Sequence, residues 1–594
     1  MTANSTAHDD ASVPPLSAEL ARQARAWAAG DPDQATAARL LELLDEAERG
    51  SAEARAEVQD AFSGTLQFGT AGLRAALGPG PMRMNRVVVR RAAAGFAAFL
   101  SEALGQGSRP RVVVGFDARH NSDVFARDSA AVFTAAGLEV FLMPSALPTP
   151  LLAYAVRALN ADGGVMVTAS HNPPQDNGYK VYLGGRAVPE GARGSQIVEP
   201  YDARIAAAIA AVGPSEDIVL AEAGWEVLPE TIEAEYRNAV VALAQPGRFP
   251  ARELDIVLTP MHGVGGRTTE AVLREAGFGQ VTQVSEQAQP DPDFPTVSFP
   301  NPEEPGALDL ALALAAERGA DLVLANDPDA DRAAVAAFDP SAAEGAGGWR
   351  MLRGDEVGAL LGAHMVRRLD GDTSGLFANS IVSSRLLARI ASSAGYRHQE
   401  TLTGFKWISR VPGLVYGYEE ALGYCVAPEL ARDKDGISAA LLLAELAADA
   451  KAHGRTLFDL LDGLALEHGL HASDQLSVRV ADLALLGTMM AGLRATPPQL
   501  LGESAIVAAV DLAEGSDELP GTDGLKYLSE DGTRVIVRPS GTEPKLKCYL
   551  EVVVPVAGAE ALPEAKQEAR RRLDSVLGGL HGALNITTPE SHND

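Results

Sequence analysis

The sequence predicts a multidomain α/β protein: three consecutive mixed α/β domains of related architecture and a C-terminal α+β domain, arranged around a central cleft. Three observations predict it. The chain has 594 residues, far more than one hydrophobic core supports, so three to five domains are expected. Apolar strand-like runs alternate with helix-like runs as β-α-β-α-β, and this order recurs three times before the pattern changes near residue 471. Each pass ends in a loop dense in polar side chains, at the place where open α/β sheets bind ligands.

Residues 16–61 are rich in Ala, Leu, Glu and Arg at helical spacing, broken at Gly30-Asp31-Pro32-Asp33, which predicts a helix, a turn and further helix. Phe68-Gly69-Thr70-Ala71-Gly72-Leu73-Arg74 follows. Its glycines let backbone amides approach a ligand, and Arg74 offers a planar donor fork. The first α/β pass has strands at 111–117, 138–143 and 165–167, with helices at 123–136 and 151–159. It ends at Thr168-Ala169-Ser170-His171-Asn172-Pro173, the stretch around which the chain is organised. A serine hydroxyl attacks well only beside a base, an oxyanion-stabilising environment or a metal.

The second pass runs from the strand at 255–260 through a helix at 271–276, a strand near Val281 and a helix at 307–318 to the strand at 321–325, and ends at Asn326-Asp327-Pro328-Asp329-Ala330-Asp331-Arg332. The third starts at 375–378, continues through a helix at 384–394 and Thr401-Leu402-Thr403-Gly404-Phe405-Lys406, and ends at Gly417-Tyr418-Glu419-Glu420-Ala421. Beyond residue 471, short strands at 475–480, 505–510, 524–528, 534–537 and 546–554 and a helix at 562–577 make a separate domain. Boundaries are expected near 1–244, 245–353, 354–470 and 471–594.

Composition narrows the function. Hydrophobic residues at 46% and charged residues at 22% fit a folded chain, and a formal net charge of −29 disfavours a nucleic-acid or anionic-membrane partner. Cys425 and Cys548 are too few for a disulfide scaffold. The first fifteen residues are polar, lack the apolar core of a signal sequence and are expected to be disordered. No apolar run reaches transmembrane length, and the protein is expected to be cytoplasmic.

Three carboxylates at alternate positions, Asp327, Asp329 and Asp331, repel one another unless a hard divalent cation lies between them, and magnesium suits an all-oxygen site. The run is no EF-hand, because Arg332 and Phe338 occupy the positions of its Gly and Glu. Arg538-Pro539-Ser540-Gly541-Thr542 gathers a guanidinium, two hydroxyls and accessible amides suited to phosphate oxygens. Glu419 and Glu420 suit sugar hydroxyls. In Arg432-Asp433-Lys434-Asp435-Gly436 either aspartate can cap the helix that follows, while Lys434 can face an anion. Together these sets describe phosphoryl transfer on a sugar phosphate.

The four motifs, in this order, resemble those of the α-D-phosphohexomutase superfamily, in particular its phosphoglucomutase/phosphopentomutase-like branch, from about Trp27 to the C-terminal helix. The resemblance implies that Ser170 bears the phosphoryl group, that Mg²⁺ is held by Asp327, Asp329, Asp331 and a phosphoserine oxygen, and that Arg74 faces the phosphoserine. It makes His171, Lys180 and Lys434 candidates for acid/base or substrate-contacting roles. It places Thr403, Gly404, Glu419, Glu420, Arg538, Ser540, Gly541 and Thr542 on the substrate. Many hexomutases have Glu-x-Ser in the sugar loop; here Ala421 stands where that serine would be.

The expected reaction interconverts glucose 1-phosphate and glucose 6-phosphate through a phosphoserine enzyme and a sugar bisphosphate, with pentose and mannose phosphates as alternatives. A monomer or dimer acting on small sugar phosphates is expected. Release of inorganic phosphate would mark a phosphatase instead, and binding without turnover a sugar-phosphate sensor.

Overall fold

The computed structural model describes residues 15–69, 72–105, 107–339, 348–480, 483–517, 519–540 and 545–584. The expectations placed on residues 1–14, Gly541 and Thr542 lie outside the described residues.

The N-terminal segment forms three helices, Ala18–Gly30, Gln34–Glu48 and Ala52–Ala61. Each starts where a side chain accepts a first-turn amide: Ser17 from Leu20, Asp33 from Ala35, Ser51 from Ala54. The cap at Ser51 explains the second break, which the helical composition of 34–61 hides. Leu40, Leu43, Leu44 and Val58 make the small core of this bundle.

The next three sheets share one topology. In each, the first strand lies between the second and third, all three parallel, and a fourth strand runs antiparallel beside the third. In the first sheet these strands are Arg111–Phe116, Glu139–Leu142, Gly163–Val167 and Asp176–Leu183. They are Asp255–Thr259, Gln280–Gln283, Leu322–Ala325 and Ala334–Phe338 in the second. The third has Leu376–Ser380, Arg397–Thr401, Leu414–Glu419 and Gly423–Cys425. The predicted polar loops therefore join the third strand to the fourth, and Glu419 is the last residue of a strand.

One continuous hydrophobic cluster runs through all three units, from Val113 and Leu152 through Ile256 and Leu324 to Phe377 and Leu441. The C-terminal sheet is antiparallel, ordered Leu470–Arg479, Lys545–Val554, Arg534–Pro539, Leu525–Ser529, Ser504–Asp511 and Leu500–Leu501. Its own core packs Leu573, Val576 and Met490 of its two helices on Val535, Val537, Cys548 and Leu550. No helix among the described residues is long and apolar enough to cross a membrane.

Two elements near the site have no counterpart in the sequence reading: the helix Arg86–Leu104 and the strand Asp176–Leu183. The strand begins with Asp-Asn-Gly, which is turn chemistry, and after it nearly every residue is buried, so no alternation marks it. Gly72 also reads differently in three dimensions. A Cβ there would lie 1.9 Å from the Tyr179 carbonyl oxygen, so the glycine also permits close approach of the chain to the strand Asp176–Leu183.

Candidate active site

Ser170 stands at the exit of its strand with φ 53°, a left-handed conformation uncommon for a residue with a Cβ and typical of strained functional positions. Its amide donates to Thr168 Oγ1 at 2.9 Å. Arg119 fixes the loop from below, donating to the carbonyls of Ser170 (2.6 Å), Asn172 (2.5 Å), Pro173 (2.8 Å) and Asp176 (3.2 Å). Sequence reasoning missed Arg119. Its only signal is position, two residues past Asp117 at the end of a strand, and Asp117 is its buried counter-ion at 3.5 Å.

The second loop meets the first directly: Ser170 Oγ donates to Asp327 Oδ2 at 2.9 Å and lies 3.1 Å from His171 Nδ1. Asp327, Asp329 and Asp331 are fully buried, with one carboxylate oxygen of each within 4.8 Å of the others. Burial, reinforced by Asp329 and Asp331, pushes the Asp327 carboxyl up to about 8. Asp331 is buried too, but Lys180 at 2.9 Å and Lys434 at 2.8 Å hold it well below the usual carboxylate range. Asp329 Oδ2 accepts from Lys180 Nζ (2.7 Å) and Thr149 Oγ1 (2.7 Å), while its Oδ1 is buried without a hydrogen-bond partner. Three converging buried carboxylates, one with an orphaned oxygen, fit a hard divalent cation.

Thr149, also missed, starts the helix Thr149–Ala158 behind Pro148. The Pro-Thr-Pro run signals a helix start, and nothing in it points to a partner 180 residues away.

Lys434 arrives from the third unit on a loop pinned by both neighbours. Asp433 accepts from Tyr182 Oη and Gln196 Nε2, each at 2.7 Å. Asp435 is the helix cap, accepting from the Ile437 and Ser438 amides at 3.0 Å and from Tyr236 Oη at 2.9 Å. Gly436 lets this loop lie on the aspartate loop, since a Cβ there would sit 2.1 Å from the Arg332 carbonyl oxygen. Arg74 Nη1 donates to Asn172 Oδ1 at 3.1 Å, beside the serine loop. Desolvation, with Arg332, Arg74 and Lys434 nearby, pushes His171 well below its ordinary value, so its ring is neutral.

The two adjacent carboxylates at the end of the strand Leu414–Glu419 differ. Glu420 accepts from Ser380 Oγ (3.0 Å) and Ser383 Oγ (2.9 Å) and is engaged within its own unit. Glu419 lies by Lys434, and burial, opposed by Lys434 and assisted by Glu420, pushes it up to about 7. Gly404, at φ 103°, caps the short helix Phe405–Ile408, with Thr403 half-buried before it. Burial lowers Lys406 on that helix to about 8, with Arg538 among the charges near it. Arg538 Nε is buried without a hydrogen-bond partner, and the Ser540 amide donates to the Lys545 carbonyl at 2.8 Å. The structure thus brings Ser170, His171, Lys180, Lys434 and the three aspartates into one cluster, with Glu419 at its edge. It places Thr403, Gly404, Arg538 and Ser540 on the third and fourth units.

Four family models match the chain in order: phosphoglucomutase/phosphomannomutase α/β/α domain I over residues 65–211, domain II over 234–339, domain III over 353–466 and the C-terminal domain over 477–568. A Haemophilus influenzae protein named "Probable phosphomannomutase" is 46% identical over 79% of this chain and 93% of its own length. Human phosphopentomutase is 33% identical over 94% of this chain and 95% of its own. A Staphylococcus epidermidis phosphoglucomutase is 32% identical, with coverage of 84% and 92%. The open form of Paramecium parafusin, a phosphoglucomutase, superposes with a TM-score of 0.64 at 19% identity, covering 89% of this chain and 97% of that one, a likeness of fold. The chain belongs to the phosphoglucomutase/phosphomannomutase family and is an intramolecular phosphotransferase.

Proposed function

We propose that the protein interconverts glucose 1-phosphate and glucose 6-phosphate through phosphorylated Ser170 and a glucose bisphosphate. The observation that carries this reading is the convergence of Ser170 Oγ, Lys180 and Lys434 on the buried carboxylates of Asp327, Asp329 and Asp331, which brings three units together. The phosphoryl group leaves Ser170 Oγ for the free hydroxyl of the sugar phosphate, whose proton passes to a base of the cleft. The bisphosphate turns over, and its other phosphoryl group returns to Ser170 Oγ. The Ser170 oxygen takes up a proton as the phosphoryl group leaves; on the return step the neutral His171 ring, whose Nδ1 lies 3.1 Å away, is placed to accept that hydroxyl proton, while Lys180 and Lys434 offer positive charge to the moving phosphoryl group.

Asp327, Asp329, Asp331 and a phosphoserine oxygen would hold Mg²⁺, which, when bound, supplies Lewis-acid polarisation of the phosphoryl oxygens. Arg538, Ser540, Gly541 and Thr542 anchor the phosphate that is not reacting, and Glu419 reads the sugar hydroxyls. The unit boundaries fall near residues 244, 353 and 470, and Thr403 and Gly404 shape the wall of the cleft.

The sugar loop sets specificity. Ala421 offers no hydroxyl, and a wall that lacks a buried hydrogen bond discriminates by only about 1–3 kcal/mol. Glucose 1-phosphate is the expected principal substrate, with measurable activity on mannose 1-phosphate and ribose 1-phosphate. The kcat/KM values for all three, in the natural protein and in Ala421→Ser, test this. Use of glucose 1-phosphate alone, with the others down by more than about ten-thousandfold, would contradict it. The 33% identity to human phosphopentomutase over 94% of the chain supports a second reading, which a clear preference for ribose 1-phosphate would establish.

Because Glu419 is pushed up to about 7, its carboxylate passes from mostly neutral to mostly ionised as pH rises through that value. Apparent affinity for the sugar phosphate should rise with pH through this range, and Glu419→Gln should flatten the rise. A pH profile of KM unchanged by the substitution would remove Glu419 from sugar recognition.

A further inference from the structure

The fourth unit stands apart in its packing. One hydrophobic cluster unites the first three units, whereas the C-terminal sheet and its helices have their own. The two meet through a small apolar contact, Ile536 and Tyr549 against Ile381, Val382 and Leu402. Strand alternation puts Arg534, Ile536 and Arg538 on one sheet face, together with Lys547, Tyr549 and Glu551 of the antiparallel neighbour; Arg534 pairs with Glu551 and Arg538 with Lys547. This face therefore has a phosphate-anchor end at Arg538, an apolar middle and an ionic end at Glu551.

Glu551 is 2% exposed. It accepts from Ser384 Oγ at 2.7 Å, from the Arg385 amide at 2.8 Å and from the Arg385 guanidinium, with His471 Nδ1 at 3.2 Å and Arg534 Nη2 at 3.3 Å. Arg534 also donates to the Ser383 carbonyl (2.5 Å), and Arg385 donates back across the interface to the Gly532 carbonyl (2.7 Å). The segment gripped in this way also shapes the sugar loop. Ser383 Oγ donates to Glu420 and accepts from the Glu420 amide at 3.1 Å, and the Ser384 amide donates to Asp355 Oδ1 (2.7 Å), which also accepts from Tyr418 Oη (2.9 Å).

We infer that Glu551 is a positioning residue: by pinning segment 383–385 it sets the separation between the phosphate-anchoring loop after Arg538 and the sugar-reading loop at Glu419. The inference rests on the roles proposed above for those two loops. Two direct bonds on the same segment, Arg534 to the Ser383 carbonyl and Arg385 to the Gly532 carbonyl, come from guanidiniums that Glu551 itself orients, and the peripheral contacts fix that separation less sharply. The Lys566–Asp462 and Arg353–Asp474 pairs are partly exposed, where ion pairs contribute little, and apolar contact is non-directional. A buried carboxylate held by several donors from a neighbouring unit is directional on every side.

The test compares Glu551→Gln and Glu551→Asp with the natural protein. KM and kcat are read together with the distance between spin labels on Val507→Cys in the fourth unit and Leu310→Cys in the second, both exposed sites; the native Cys425 and Cys548 are buried. Glu551→Gln should broaden the distance distribution. It should raise KM about tenfold, as expected if only about a tenth of the molecules keep the binding geometry, and change kcat much less because saturating substrate bridges the units. Glu551→Asp, which keeps the charge, should recover part of both, and Mn²⁺ affinity of the aspartate loop should not move. If Glu551→Gln does not fold, Ser384→Ala removes the hydroxyl's bond to Glu551, together with the one it accepts from the Leu386 amide, and should raise KM by about two- to tenfold.

Unchanged KM and distances in a folded Glu551→Gln, or in Ser384→Ala where that variant replaces it, overturn the inference. Arg538→Gln separates it from the anchor reading. A raised KM at unchanged distance supports the anchor. An Arg538→Gln without effect, beside a Glu551→Gln that broadens the distance and raises KM, removes the anchor role and leaves the pin.

Discussion

Ser170→Ala loses mutase turnover by about a millionfold, the scale on which deleting a covalent nucleophile acts in other enzymes. The substitution removes one oxygen and little else. That oxygen donates to Asp327 and faces His171, whereas the neighbouring Thr168 hydroxyl is engaged by the Ser170 amide. Arg119 holds this loop through backbone carbonyls, which alanine retains, so the loop geometry should persist. Steady-state turnover and intact-mass measurement should agree: a phosphate adduct on the natural protein, none on the variant, and no activity. Normal turnover by the variant would remove Ser170 from the reaction.

Asp329→Asn gives the second large effect. The substitution keeps shape and removes one negative charge from a site where the Asp329 carboxylate has an orphaned oxygen and two donors, Thr149 and Lys180. Divalent-ion affinity, read with Mn²⁺, should fall at least about a hundredfold, beyond the roughly 10–100-fold that follows loss of an outer-shell partner, and turnover should fall with it. Circular dichroism should show the natural fold. Unaltered metal affinity would take Asp329 out of the metal site, and activity indifferent to chelator would take out the metal.

The sequence carried more of this site than of its supports. Ser170 and the three aspartates stand out because local composition betrays them: a serine beside His and Asn at a strand end, and carboxylates at alternate positions that need a cation. The repeat of architecture was legible for a similar reason, since the first and third parallel strands of each unit carry apolar runs near turn signals, whereas the outer strands Gln280–Gln283 and Arg397–Thr401 are polar and give little signal. What stayed hidden depends on distant pairing. Arg119 acts through four backbone carbonyls of another loop, Thr149 through Asp329, and Glu551 through Ser384 and Arg385, and no local pattern marks any of them. The strand Asp176–Leu183 is buried nearly end to end and lacks alternation. Glu419 and Glu420 looked equivalent as neighbours, but they are separated by the hydroxyls of Ser380 and Ser383, which only the folded third unit brings to Glu420.

The central claim is that Ser170 carries the phosphoryl group that moves. A single-turnover chase tests it most directly. The protein is labelled with radioactive phosphate from glucose 1,6-bisphosphate, freed of excess sugar, and mixed with unlabelled glucose 1-phosphate in the presence of Mg²⁺. The label should map to the peptide containing Ser170 before the chase and leave it for the sugar bisphosphate and hexose phosphate afterwards. Label that remains on the protein during turnover, or departs as inorganic phosphate, would contradict the account.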